Sequence, residues 1–205
     1  MAITRVKTSS ILQGFPKSRS LLAGNTAFVP PGSYESIATI TVGSGGSASI
    51  DFTSIPSTYA DLQIRYIARY SGGTDVETGN SIKINSSTTG ADYYWFQYFY
   101  TNGSSRASGA DDSFATIWGG SSAGSGASSG VFGVGVIDIL EYANTNKTKP
   151  VRILTGTDNN GSGALYFSTG LYVPTTAISS ISISSLGGNF AQYTKFALYG
   201  IKGSA

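Results

Sequence analysis

The stretch Ala60-Asp61-Leu62-Gln63-Ile64-Arg65-Tyr66-Ile67-Ala68-Arg69-Tyr70 decides the reading of this chain. Leu62, Ile64, Tyr66, Ala68 and Tyr70 share one phase, and Gln63, Arg65 and Arg69 share the other, the period of two that marks a half-buried β-strand. Ile67 breaks the polar phase and marks a second contact surface. The same alternation recurs on both sides of this segment. Strands are expected in Ile37 to Val42, Ala48 to Phe52, Ser81 to Asn85, Tyr93 to Tyr100, Phe114 to Trp118 and Val131 to Glu141. Further strands are expected in Val151 to Thr155, Ala164 to Val173, Ile178 to Ser184 and Tyr193 to Lys202. Gly43-Ser44-Gly45-Gly46 between the first two reads as a hairpin turn. No segment carries a helical stripe, so the crossovers of a parallel α/β sheet are missing. The expected fold is an all-β antiparallel sandwich of roughly 8–11 strands, a size that one sheet-built domain commonly reaches.

Residues 1–35 read differently. Ile11, Leu12, Phe15, Leu21, Leu22 and Phe28 are spaced among Gly14, Pro16, Gly24, Pro30 and Pro31 with no period, the pattern of an extended arm lying on another surface. Lys17 and Arg19 add charge for a partner. The domain division is therefore an anchoring arm over 1–35 and a β-sandwich over 36–205. The run from Gly119 to Gly130, built of Gly, Ser and Ala, reads as an exposed loop between strands.

Composition narrows the chemistry. The 205 residues contain no His and no Cys, which removes the usual general base, nucleophile and transition-metal ligands, and with them any disulfide. Charged residues form 12% of the chain, about half the usual share, which suits packing against protein or glycan better than binding a polyanion. The net charge of +2 divides into four basic residues and no acid over 1–34, and nine basic against eleven acidic residues beyond. The arm lacks the dense basic cluster of a nucleic-acid binder. Neither a signal-peptide core nor an apolar run of membrane-spanning length is present, so no membrane insertion is expected.

Carboxylate pairs are the remaining catalytic device: Asp111 with Asp112, Asp75 with Glu77, and Asp138 with Glu141. Solvated loop acids account for them more simply. Asp158-Asn159-Asn160-Gly161-Ser162-Gly163 is oxygen-rich, but it lacks the spacing of a calcium loop, and Asn-Gly is a preferred hairpin corner. Gly130, Gly133 and Gly135 fall within a strand pattern and mark bulges or close backbone approach. No cofactor is expected. The aromatic run Tyr93-Tyr94-Trp95-Phe96-Gln97-Tyr98-Phe99-Tyr100 has no polar phase, so both of its faces should be covered. Tyr93, Trp95 and Phe99, with Trp118, are read as a subunit interface or a glycan platform. Loops at Asp75 to Asn80, Asn102 to Asp112 and Asn159 to Ser162 are the candidate sugar contacts beside it.

Four stretches together resemble structural proteins of tailed bacteriophages, of the cyanobacterial and marine kind. They are Ser9 to Asn25, Phe52 to Tyr59 with the Leu62 strand after it, Ile137 to Asn144 leading to Lys147, and Phe196 to Lys202. The resemblance implies a non-enzymatic virion protein, a jelly-roll-like module assembled in the host cytoplasm and displayed on the particle as a tail fibre, tail-associated piece or head decoration. It implies anchoring to other virion proteins through the arm, a homo-oligomer, by analogy a trimer, and no transferable catalytic residue. Host-glycan recognition is the alternative function.

Overall fold

The computed structural model describes residues 33–101, 104–110 and 115–202. The expected arm, with Ile11, Leu12, Phe15, Lys17, Arg19, Leu21, Leu22 and Phe28, lies outside the described residues, as do Asp111 and Asp112. Twelve strands are present among the described residues: β1 Tyr34–Thr41, β2 Ser49–Phe52, β3 Asp61–Ala68, β4 Glu77–Ile84, β5 Tyr93–Thr101, β6 Ser104–Ala110, β7 Ile117–Ala123, β8 Gly133–Ile139, β9 Lys149–Asp158, β10 Gly163–Tyr172, β11 Ile181–Ser185 and β12 Lys195–Ile201. They form two antiparallel sheets, an eight-stranded one in the order β1-β12-β3-β8-β9-β10-β5-β6 and a four-stranded one in the order β2-β11-β4-β7. The fold is an all-β sandwich. A single 3-10 turn, Gly90–Asp92, is the one helical element described. No helix among the described residues is long and apolar enough to cross a membrane.

The alternation read in β3 is the alternation observed. Leu62, Ile64, Tyr66 and Ala68 are buried against the small sheet, while Arg65 and Ile67 are exposed. Their inward neighbours Ile137, Ile139, Ile153, Phe196 and Leu198 meet Ile50, Phe52, Ile82, Ile84, Ile181 and Ile183 from the four-stranded side. Each such side chain contributes about 1.5–3 kcal/mol on burial, so this apolar block holds the two sheets together. Gly135 of β8 faces inward beneath a ring, and a Cβ there would stand 2.4 Å from Tyr66. Close approach is indeed its function.

Three expectations are corrected. First, β1 and β2 do not form a hairpin. β1 pairs with β12 and β2 pairs with β11, so the Gly43 to Gly46 turn carries the chain from one sheet to the other. β1 also begins at Tyr34, two residues before the expected domain boundary. Second, Ser104–Ala110 within the expected loop is the edge strand β6, paired with β5. Third, the Gly/Ser run is not wholly an exposed loop. Residues 119–123 complete β7 and are buried, because only small residues fit there: a Cβ on Gly119 would crowd Ile82 and Asn80, and one on Gly120 would stand 2.3 Å from Thr155. Tyr66 Oη donates to the Ser121 carbonyl at 2.9 Å, and Asn80 Nδ2 donates to Ser122 Oγ at 2.9 Å. The Ser121 N–H donates to Thr155 Oγ1 at 3.1 Å. This half of the interior is hydrogen-bonded where the other half is aliphatic.

The rest of the run, with Val131 after it, is a loop to which one side chain makes four hydrogen bonds. The Arg69 guanidinium donates to the carbonyls of Ser128, Val131, Ser125 and Ala127 at 2.9–3.1 Å. Hydrogen bonds from a charged donor each exceed an ordinary one in worth. Arg69→Ala is expected to cost about 2 kcal/mol of stability and to open residues 124–131 to proteases. Urea unfolding with mapping of the first cleavage site checks this, and cleavage elsewhere at unchanged stability would contradict it. A comparable lock sits under β9, where buried Lys149 Nζ donates to the carbonyls of Lys147 at 2.6 Å and Thr175 at 3.0 Å.

Candidate interaction surface

The outer side of the eight-stranded sheet is built from the second phase of strands whose first phase fills the core. Register places the outward residues in rows that run across the strands. One row is Ile67, Val134, Gly156, Leu165 and Tyr100, from β3 through β8, β9 and β10 to β5. The next is Arg65, Val136, Leu154, Phe167 and Tyr98, and a third ends on Arg152, Thr169 and Phe96. Beyond it, Leu171 stands beside Tyr94. Nine large apolar or aromatic side chains are exposed here, Phe96 at 55% and Phe167 at 49% among them. An ordinary antiparallel sheet turns polar residues to its free side. This one does not.

The face has relief as well as area. Gly156 leaves a shallow hollow of about 420 Å³ bordered by Arg65, Val134, Val136, Leu154 and Leu165. Phe167 and Tyr98 project next to it. Charge lies at the margin, at the β3, β8 and β9 end of the third row and its neighbour, and on exposed Lys195 of β12, which stands opposite Ile67 at the end of the first row. Arg152 Nη2 lies 2.7 Å from Asp138 Oδ2, Gln63 Nε2 donates to Asp138 Oδ1 at 2.7 Å, and Arg65 Nε donates to Gln63 Oε1 at 2.6 Å. The Arg65 guanidinium also stands over the Tyr34 and Tyr199 rings, 5.2 and 5.4 Å from their centroids. An apolar centre with engaged polar groups at its margin is the anatomy of a protein interface.

The predicted platform residues lie on the opposite side of β5. Tyr93 is 1% exposed and donates its hydroxyl to the Ile84 carbonyl at 2.9 Å. Phe99 stacks on Tyr166 at 5.2 Å, and Trp95 packs against Trp118 at 5.8 Å, all between the two sheets. Tyr93 is therefore enclosed within the subunit and Phe99 is half-buried against Tyr166, because the phase that contains them is the one turned to the small sheet. Trp95 and Trp118 are half-buried and line a pocket of about 270 Å³ with Ser81, Thr116 and Leu186. The aromatics that do face outward are Tyr94, Phe96, Tyr98 and Tyr100. Sequence reasoning missed their neighbours on β8, β9 and β10, although Leu165 and Phe167 flank Tyr166 in a segment apolar in both phases.

Three of the candidate acids are engaged by neighbouring side chains. Glu141 pairs with Lys147 at 2.8 Å, and this hydrogen-bonded ammonium holds its carboxyl below the ordinary value. Asp138 serves Arg152 and Gln63, and Glu77 Oε1 accepts from Tyr166 Oη at 3.0 Å. Among the described residues no group of three or more His, Cys, Asp or Glu is placed to hold a metal ion. Asn160 and Gly161, both with positive φ, make the corner of the β9–β10 hairpin, closed by the Asn159 N–H on the Ser162 carbonyl at 2.6 Å. Of the expected sugar-contacting loops, Glu77 to Asn80 belongs to β4, with Asn80 buried. No known family, curated protein or solved structure matches this chain.

Proposed function

We propose that this chain is a non-enzymatic structural component of a phage particle, displayed on the exterior and anchored through residues 1–35. One observation carries the assembly part of this reading. The free side of the large sheet is apolar over most of five strands, a larger patch than a subunit that works alone exposes. The virion part rests on the resemblance in the four stretches named above, and the assignment to tail fibre, tail-associated piece or head decoration rests on it alone. The engagement of the candidate acids by Lys147, Arg152, Gln63 and Tyr166 supports a role without covalent chemistry.

The test is particle incorporation. A chain lacking residues 1–30 is expected to fold with an unchanged β-sheet spectrum and to be absent from particles assembled in its presence. Incorporation at the full-length level would overturn anchoring by the arm. A second reading, host-glycan recognition, is favoured by the half-buried Trp95 and Trp118 indoles at the mouth of their pocket. Binding on a glycan array that disappears with Trp118→Ala would establish it.

A further inference from the structure

We infer that the outer face of the eight-stranded sheet is closed by a second copy of this chain, two large sheets stacking face to face about a two-fold axis. The inference rests on the reading of the chain as an assembly part and names one partner for it.

Area is the first argument. The nine exposed side chains of the face present on the order of 800 Å², the amount that each partner contributes to a stable interface of standard size. Charge is the second. Asp138 is neutralised by Arg152, and Arg65 is held at the margin by Gln63 and two tyrosine rings. The exposed Lys195 and Asp158 stand at the edges, Lys195 on β12 opposite Ile67 and Asp158 at the hairpin end of β9. The central rows of Val134, Leu154, Leu165, Phe167, Tyr98 and Tyr100 carry no charge, so a second copy of this surface meets no like-charge repulsion there. A partner recognised by its own net charge would find little to read. Shape is the third. A contact about a two-fold axis requires one patch to hold both the projecting and the receiving element. The aromatic knobs Phe167 and Tyr98 stand beside the hollow over Gly156. Two sheets of the same twist also pack face to face with their strands aligned to within about 30°.

Light scattering and sedimentation velocity on the full-length chain test this. At micromolar concentration the mass is expected to be twice the 21.2 kDa of the chain. Phe167→Glu and Tyr98→Lys, each placing a charge in the apolar centre, are expected to weaken the dimer about 100-fold or more and leave monomers. Their circular dichroism and thermal melts should match those of the parent, since both side chains point away from the core. Leu186→Glu, which alters an exposed apolar residue next to β11 of the small sheet, should leave the mass unchanged.

A monomer at every concentration overturns the inference. So does a trimer, or an oligomer that both face variants leave intact. The particle distinguishes what falls with it. A monomer whose incorporation is lost with Phe167→Glu places another virion protein on the face and keeps the assembly reading. A monomer incorporated equally with and without Phe167→Glu overturns the inference and leaves anchoring by the arm standing, whereas a full-length chain absent from particles overturns the proposed function.

Discussion

Raising the pH above 10 is expected to unfold this protein, while the interval from pH 5 to 9 leaves its stability nearly flat. The chain has no histidine to titrate in that interval. Most of its buried titratable groups are phenols. Burial raises the pKa of Tyr66, Tyr70, Tyr93, Tyr142, Tyr166 and Tyr172 above the ordinary 10.0. A phenol with a raised folded-state pKa stabilises fully below pH 10 and loses that contribution as the pH climbs toward the folded value. Above pH 10 the unfolded chain releases these protons and the folded chain retains them. Each hydroxyl kept neutral then removes about 1.4 kcal/mol of stability per pH unit. Lys149 works the other way, because burial pushes its ammonium below 10.5, but it is one group against six. On the acid side Glu35, hydrogen-bonded to Lys202, and Glu141, hydrogen-bonded to Lys147, are held below 4.5, so their contribution is lost only under stronger acidification. Urea midpoints measured from pH 4 to 12 check the account. A plateau that continues past pH 11 would contradict it.

Phe196→Ala is expected to cost about 4 kcal/mol. Its ring is fully buried on β12, stacked on Tyr66 at 4.7 Å and set edge-on to Phe190 at 5.3 Å. Truncation therefore removes the ring and leaves a cavity between two aromatics that are themselves fixed, Tyr66 by the Ser121 carbonyl and Phe190 by backbone bonds to Ser47. Phe167→Ala removes the same ring from the outer face of the same sheet. Measured on dissociated subunits, it is expected to change stability by less than about 0.5 kcal/mol. The pair of variants, followed by denaturant unfolding, assigns inside and outside directly. Equal costs would mean that the two faces have been assigned wrongly.

The contrast between β3 and β5 shows where the sequence was legible. β3 carries Arg65 and Gln63 in one phase, so its period of two also states which side meets the core. β5 is aromatic in both phases, and period alone says which residues share a face but not which face is turned inward. Gln97 made the choice harder. A lone polar residue in the Tyr93, Trp95, Phe99 phase suggests the outside, yet it is 6% exposed, opposite buried Ser168 in the hydrogen-bonded half of the interior. The Gly/Ser run failed for a related reason. Composition matches a linker, but Gly119 and Gly120 have no room for a Cβ beside Ile82, Asn80 and Thr155, and Ser121, Ser122 and Ala123 are buried next to them, a long-range constraint that no local pattern carries. The β1–β2 turn had hairpin chemistry and still joined two sheets, because pairing with β11 and β12 arrives from the far end of the chain. The nine-residue outer face was legible only in part, through Ile67 in β3 and the two-phase apolar segments, and its continuity needed the register of five strands.

Hydroxyl-radical footprinting of the assembled full-length chain, read tyrosine by tyrosine, tests whether that face is the working surface. Tyr193, 69% exposed in the turn before β12 and outside the strands of the face, serves as the internal reference. Tyr94, Tyr98 and Tyr100 are expected to be modified several times more slowly than Tyr193 in the assembly, and to approach its rate in the Phe167→Glu variant. Face tyrosines modified as fast as Tyr193 in the assembled protein would mean that the surface stays open to water and that the protein joins its partners by another route.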